Sequence, residues 1–165
     1  MGKWESGKVG KWECGKVGRC GKVDKWNLRF VGTWFSGSIS GGRYNTLTGR
    51  YEGAAGMGMI YYFKADGTFA EMIVWNGPYG GTWAASITGK YAVKDNVITF
   101  SKQVGEQSTD GGKTWKDKKS QSDQSDYFEF GKDEFGDYVL FSLEGEKPSL
   151  DPETNAAKYR FASRD

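Results

Sequence analysis

MGMIYYFKADGTFAEMIVW, residues 57–75, and GKYAVKDNVITFS, residues 89–101, decide the fold. In the first, two apolar runs flank Ala65-Asp66-Gly67; in the second, two more flank Lys94-Asp95-Asn96. A tight turn needs positive φ, which Gly supplies without steric cost and Asp or Asn tolerates, so each stretch reads as a β-hairpin. Two consecutive hairpins make a meander. Alternation places Met59, Tyr61 and Phe63 on one face of their strand, and Phe69, Glu71, Ile73 and Trp75 on one face of the next. The opposite faces are also largely apolar. A sheet wetted on one side would alternate more cleanly, so one face should line an interior and the other should be covered, by the N-terminal arm or by a second copy.

Composition agrees with an all-β domain. Aromatic residues make up 16% of the 165, with 25 glycines and only three prolines, which favours strands joined by many turns. The chain suits one domain with an added tail. A net charge of +2 is too small to point to nucleic acid. There is no histidine, which removes the commonest general base and transition-metal ligand. Two cysteines exclude a four-thiolate zinc site within one chain, and neither a metal nor a cofactor is expected. No apolar run is long enough to span a bilayer as a helix. No signal peptide is visible, which leaves a cytoplasmic protein or a secreted one after processing.

Residues 1–27 form an arm of Lys/Gly/Trp repeats: GKWESGKV, GKWECGKV, then a shortened GRC-GKV. Its seven basic and three acidic groups make it +4 and leave −2 for the remainder. Three short units are too few for a solenoid with its own core. Trp4 and Trp12 sit beside lysines and could make the arm adhesive, towards a glycan, a protein or another copy. Cys14 and Cys20 either close a small disulfide loop in an oxidising compartment or stay free thiols.

Residues 28–165 are expected to fold as one barrel. Arg29 to Phe35 reads as the first strand. The glycine-rich run over residues 36–58 reads as a long loop, or one containing a short strand near Leu47–Tyr51. Residues 116–126 read as the exposed part of a strand or a mobile loop, 127–130 and 138–143 as a hairpin, and Tyr159-Arg160-Phe161 as the strand that closes on the first. About eight antiparallel strands result, enough to close an up-and-down barrel with room for one small ligand.

Gly32-Thr33-Trp34 resembles the G-x-W signature on the first strand of lipocalins and their calycin relatives. Together with the DGTF and GKYAVKDNVITF hairpins, the middle of the chain is similar to small bacterial lipocalin-like domains. That resemblance implies that Trp34 plugs the closed end of the barrel, that a basic residue of the last strand, Arg160, packs across its ring, and that a hydrophobic ligand occupies the cup. GTWF and LTGRYEGAAG also resemble the opening strands of avidin-type biotin binders, but the later tryptophan segments of that family have no match. Ser108 to Trp115 is similar to the Asp-box of sialidase-type propellers. With one copy it reads better as a hairpin turn capped by Asp110.

Three functions from different classes follow. The first is binding of a small apolar or aromatic ligand in a cup lined by Met59, Tyr61, Phe63, Ile73, Trp75 and Tyr91, with Glu71 as polar anchor. The second is a cofactor-free cyclase or isomerase in the same cup, with Glu71 or a tyrosine moving protons. The third is an interaction module using the N-terminal tryptophans. If the face carrying Glu71 is internal, its pKa should rise. Asp110, Asp117, Asp123 and Asp126 lie in polar stretches and read as solvated charges.

Overall fold

The computed structural model describes residues 25–76, 82–143 and 150–164, with side chains from residue 28 onward. A short helix, α1 (Lys25–Phe30), precedes nine strands: β1 (Gly32–Asn45), β2 (Arg50–Phe63), β3 (Thr68–Asn76), β4 (Thr82–Lys94), β5 (Val97–Ser108), β6 (Lys116–Gln121), β7 (Gln124–Asp133), β8 (Gly136–Ser142) and β9 (Ala156–Ser163). All pair antiparallel in the order β4-β3-β2-β1-β9-β8-β7-β5-β6, and β4 also pairs β5, so the sheet closes in a ring. Gln103 opposes Gln121 of β6 and Phe100 opposes Gln124 of β7, a continuous register. β6 and β7 thus act as one strand broken at residues 122–123, and the ring has the eight positions expected of an up-and-down barrel. The last strand does lie beside the first, with Trp34 opposite Phe161 and Phe35 opposite Arg160.

The chain enters the ring differently from the expected first strand. Arg29 and Phe30 belong to α1, and β1 begins only at Gly32, whose φ of +126° breaks the helix from the strand. The reason is packing. Phe30 is 0% exposed and lies within 4.7–6.5 Å of the rings of Phe63, Tyr91, Phe128, Phe130 and Phe141. Seated on α1, the Phe30 ring meets rings from β2, β4, β7 and β8 at once. Trp34 is 2% exposed and donates its indole N–H to the Phe30 carbonyl at 2.7 Å. The bond satisfies a helix-terminal acceptor that would otherwise be buried unpaired. Helix and tryptophan together close one end.

The glycine-rich segment is neither a loop nor a short strand. Residues 36–58 form the far halves of β1 and β2, a long hairpin that turns at residues 46–49. Gly37 faces Gly58 across it, with φ of +90° and +152°. A Cβ on Gly58 would lie 2.1 Å from the Ser36 carbonyl oxygen. This glycine pair lets the hairpin bend away from the ring and fold back over its outer face. Tyr44 there stacks on Tyr62 at 4.5 Å, Arg50 grips Glu106 of β5 at 2.6 Å, and the Arg50 guanidinium sits 5.2 Å from the Trp115 ring. Beneath it lies a second apolar core containing Tyr51, Ile60, Met72, Val74 and Ala84. The outward face of β2 to β4 is therefore apolar because this hairpin covers it. Replacing Gly58 by alanine is expected to cost about 2 kcal/mol, since the backbone must shift to admit the methyl group; a denaturant melt measures it, and an unchanged midpoint would show a freely moving hairpin.

Candidate functional site

Going away from α1, inward side chains of β2 and β3 meet in successive rungs: Phe63 with Phe69, Tyr61 with Glu71, and Met59 with Ile73. Trp75 then opposes Trp83 of β4. The lower rungs are filled. Phe63 is 0% and Tyr91 4% exposed, and both belong to the aromatic core around Phe30. The Tyr91 hydroxyl donates to the Lys64 carbonyl at 2.8 Å. These two proposed cup residues thus form the packed floor instead of a ligand-facing wall. The upper rungs are open. Met57, Gly58, Met59, Ile73, Val74, Trp75 and Trp83 line a wide apolar depression of about 600 Å³ on the rim of β2, β3 and β4. Met57 and Trp75 are about half exposed there.

Between floor and depression lies the polar layer. Glu71 is 8% exposed, on the inner face, so its charge is not solvated. Burial pushes its carboxyl up to about 7; the Tyr61 hydroxyl, hydrogen-bonded to it, pulls the other way, and the charge of Asp126 adds to the rise. Tyr61 packs against Phe63, Phe100 and Tyr159 with ring centres 5.2–5.8 Å apart. Burial, then the Glu71 charge, drives its phenol well above the ordinary value. Tyr159 is raised in the same way, and its hydroxyl lies 3.4 Å from the Met59 sulfur. Asp126 alternates with Phe128 and Phe130 on β7 and is partly buried, which raises its pKa; Gln124 donates to it at 2.9 Å. The solvated reading of Asp126 is corrected by that alternation.

Four members of the site, Met57, Trp83, Tyr159 and Asp126, lie outside the expected cup; Met57 shares the alternation of Met59 and Tyr61. Pro78 and the Gly80-Gly81 pair make residues 76–85 read as a loop, although stepping back by twos from Ile87 puts Trp83 inward, opposite Trp75. Tyr159 and Asp126 carried the same period-two signal in short segments dominated by charge. Arg160 does not pack across Trp34. Its guanidinium makes a two-pronged bond to Asp133 at 2.8 and 2.9 Å and lies over the Phe135 ring on the outside, while Phe161 and Phe130 flank the indole. An inward Phe161 forces its neighbour Arg160 outward. Asp110 does cap its own turn, accepting from the Lys113 and Thr114 backbones and from the Ser108 and Thr114 hydroxyls.

Among the described residues no three acidic or cysteine side chains are grouped to hold a metal, and no helix is long and apolar enough to cross a membrane. Trp4, Trp12, Cys14 and Cys20 lie outside the described residues. Fold and site together define a class: a closed antiparallel β ring, plugged at one end by a helix and opening at the other into an apolar depression above a buried acid. No family model, curated protein or solved structure matches the chain.

Proposed function

We propose that this chain is a lipocalin-like binding module that holds a small apolar or aromatic molecule at the open end of the ring. The observation that carries the reading is the depression bounded by Met57, Met59, Ile73, Trp75 and Trp83, whose size suits a small ligand. Burial of the ligand's apolar surface drives binding, and the two indoles contribute most of the contact area. Glu71 and Tyr61 lie one rung deeper, about 7 Å along the strand, and bias orientation. Fluorescence titration with N-phenyl-1-naphthylamine tests it. Micromolar binding is expected, weakened about tenfold or more in Trp75→Ala, whose half-exposed side chain can be removed without unfolding the domain. An unchanged titration curve in that variant rules out this depression as the site.

A second reading, a cofactor-free cyclase or isomerase, is favoured by one observation: a buried carboxyl with a pKa of about 7 beside Tyr61 is poised to exchange protons near neutrality. Mass spectrometry of whatever molecule purifies with the protein separates the two. A ligand recovered unchanged supports binding alone; conversion abolished by Glu71→Gln supports catalysis.

A further inference from the structure

We infer that the molecule held at the open end is an organic cation, an aromatic or alkyl body carrying a protonated amine. The inference rests on the proposed binding site and deepens it. The apolar depression fixes where the body lies; the charges around it fix the sign of its polar end. Among the described residues, the inward positions of β2, β3 and β4 carry no lysine or arginine. Lys119, on the inward side of β6 opposite Gly105, is exposed, so solvent screens its charge. What faces Glu71 from the packed strands is Tyr61 of β2 and Asp126 of β7, with Tyr159 of β9 beside Tyr61.

The interior thus presents two acids and two phenols beneath the depression, and two indoles are among its lining. A carboxylate ligand would add a third like charge to a poorly hydrated space. A neutral ligand offers the ionised Glu71 no counter-charge beyond its hydrogen bond from Tyr61. A protonated amine is attracted by both carboxylates, and its charge is accommodated by the tryptophan faces. Such a ligand favours the ionised form of Glu71, so its affinity should also rise with pH between 6 and 8, where an alkylamine itself stays protonated.

Calorimetric titration of the full chain at pH 8 with 2-phenylethylammonium, 2-phenylethanol and 3-phenylpropanoate tests the inference. The ammonium probe is expected to bind about tenfold more tightly than the alcohol, and the carboxylate more weakly than either. Glu71→Gln should erase the preference of ammonium over alcohol, read as the ratio of the two affinities within the variant; Asp126→Asn should reduce that ratio and provides the result if the first variant folds poorly. Equal binding of all three probes, or a preference for the carboxylate, overturns the inference and leaves the binding site standing. Absence of binding by any probe overturns both.

Discussion

Phe30→Ala should lower the stability of the domain by about 4 kcal/mol, within the range for emptying a fully buried phenylalanine site. The ring is 0% exposed and is touched by five other rings from β2, β4, β7 and β8. Those neighbours are fixed by the ring of strands, so the hole cannot collapse without breaking strand pairing. Trp34→Phe separates the hydrogen bond from the packing. It keeps an aromatic body between Phe130 and Phe161 but leaves the Phe30 carbonyl without its donor, which should cost about 1–2 kcal/mol. Urea melts of both variants give the comparison. A loss under 1 kcal/mol for Phe30→Ala would mean that α1 does not seat its ring in the barrel, and that the closed end is held by the strands alone.

That plug marks the boundary of what the sequence could say. The two central hairpins were legible because turn chemistry and period-two alternation agree over residues 57–101, and the observed strands and turns fall there. Phe30 sits in a stretch, Arg29 to Phe35, that is just as aromatic and β-branched as a strand. Nothing local distinguishes a ring on a strand from a ring on one turn of helix; the barrel axis that needs filling exists only after closure. The long hairpin was hidden for the opposite reason. Its glycines lower strand propensity, and the same glycines permit the bend at Gly37 and Gly58. The core beneath it, with Tyr51 and Met72, is a contact that depends on that bend.

The candidate site divides along the same line. Glu71, Met59, Ile73 and Trp75 share a face by simple alternation, so their convergence was visible. Which rungs would be open was not, because filling of the interior by Phe63 and Tyr91 is decided by Phe30 from outside the strands. Arg160 shows how a borrowed expectation fails. One position of register separates it from Phe161, and that single step exchanges the inside for the outside.

Glu71 gives the fold a pH dependence between pH 4.5 and 7. Its folded pKa of about 7 lies above the 4.5 of an unperturbed glutamate. Below pH 4.5 the carboxyl is protonated in both folded and unfolded chains, and its burial is tolerated. Between 4.5 and 7 the unfolded chain releases the proton and the folded one retains it, so stability falls as pH rises; above 7 both are ionised and the loss is complete. Two and a half units correspond to about 3 kcal/mol. Asp126 is raised too and tilts stability the same way, whereas Asp110 and Asp133, held well below the usual carboxylate range by their hydrogen bonds, act only in more acidic solution. Glu71→Gln keeps the shape and an acceptor for the Tyr61 hydroxyl but cannot ionise. Its urea midpoint should match the wild type near pH 4.5, exceed it increasingly up to about pH 7, and keep a constant lead above that. Parallel midpoints across that range would mean that water reaches Glu71. The acid would then be an ordinary wetted carboxylate, and it could neither select a ligand by charge nor hold a proton for chemistry.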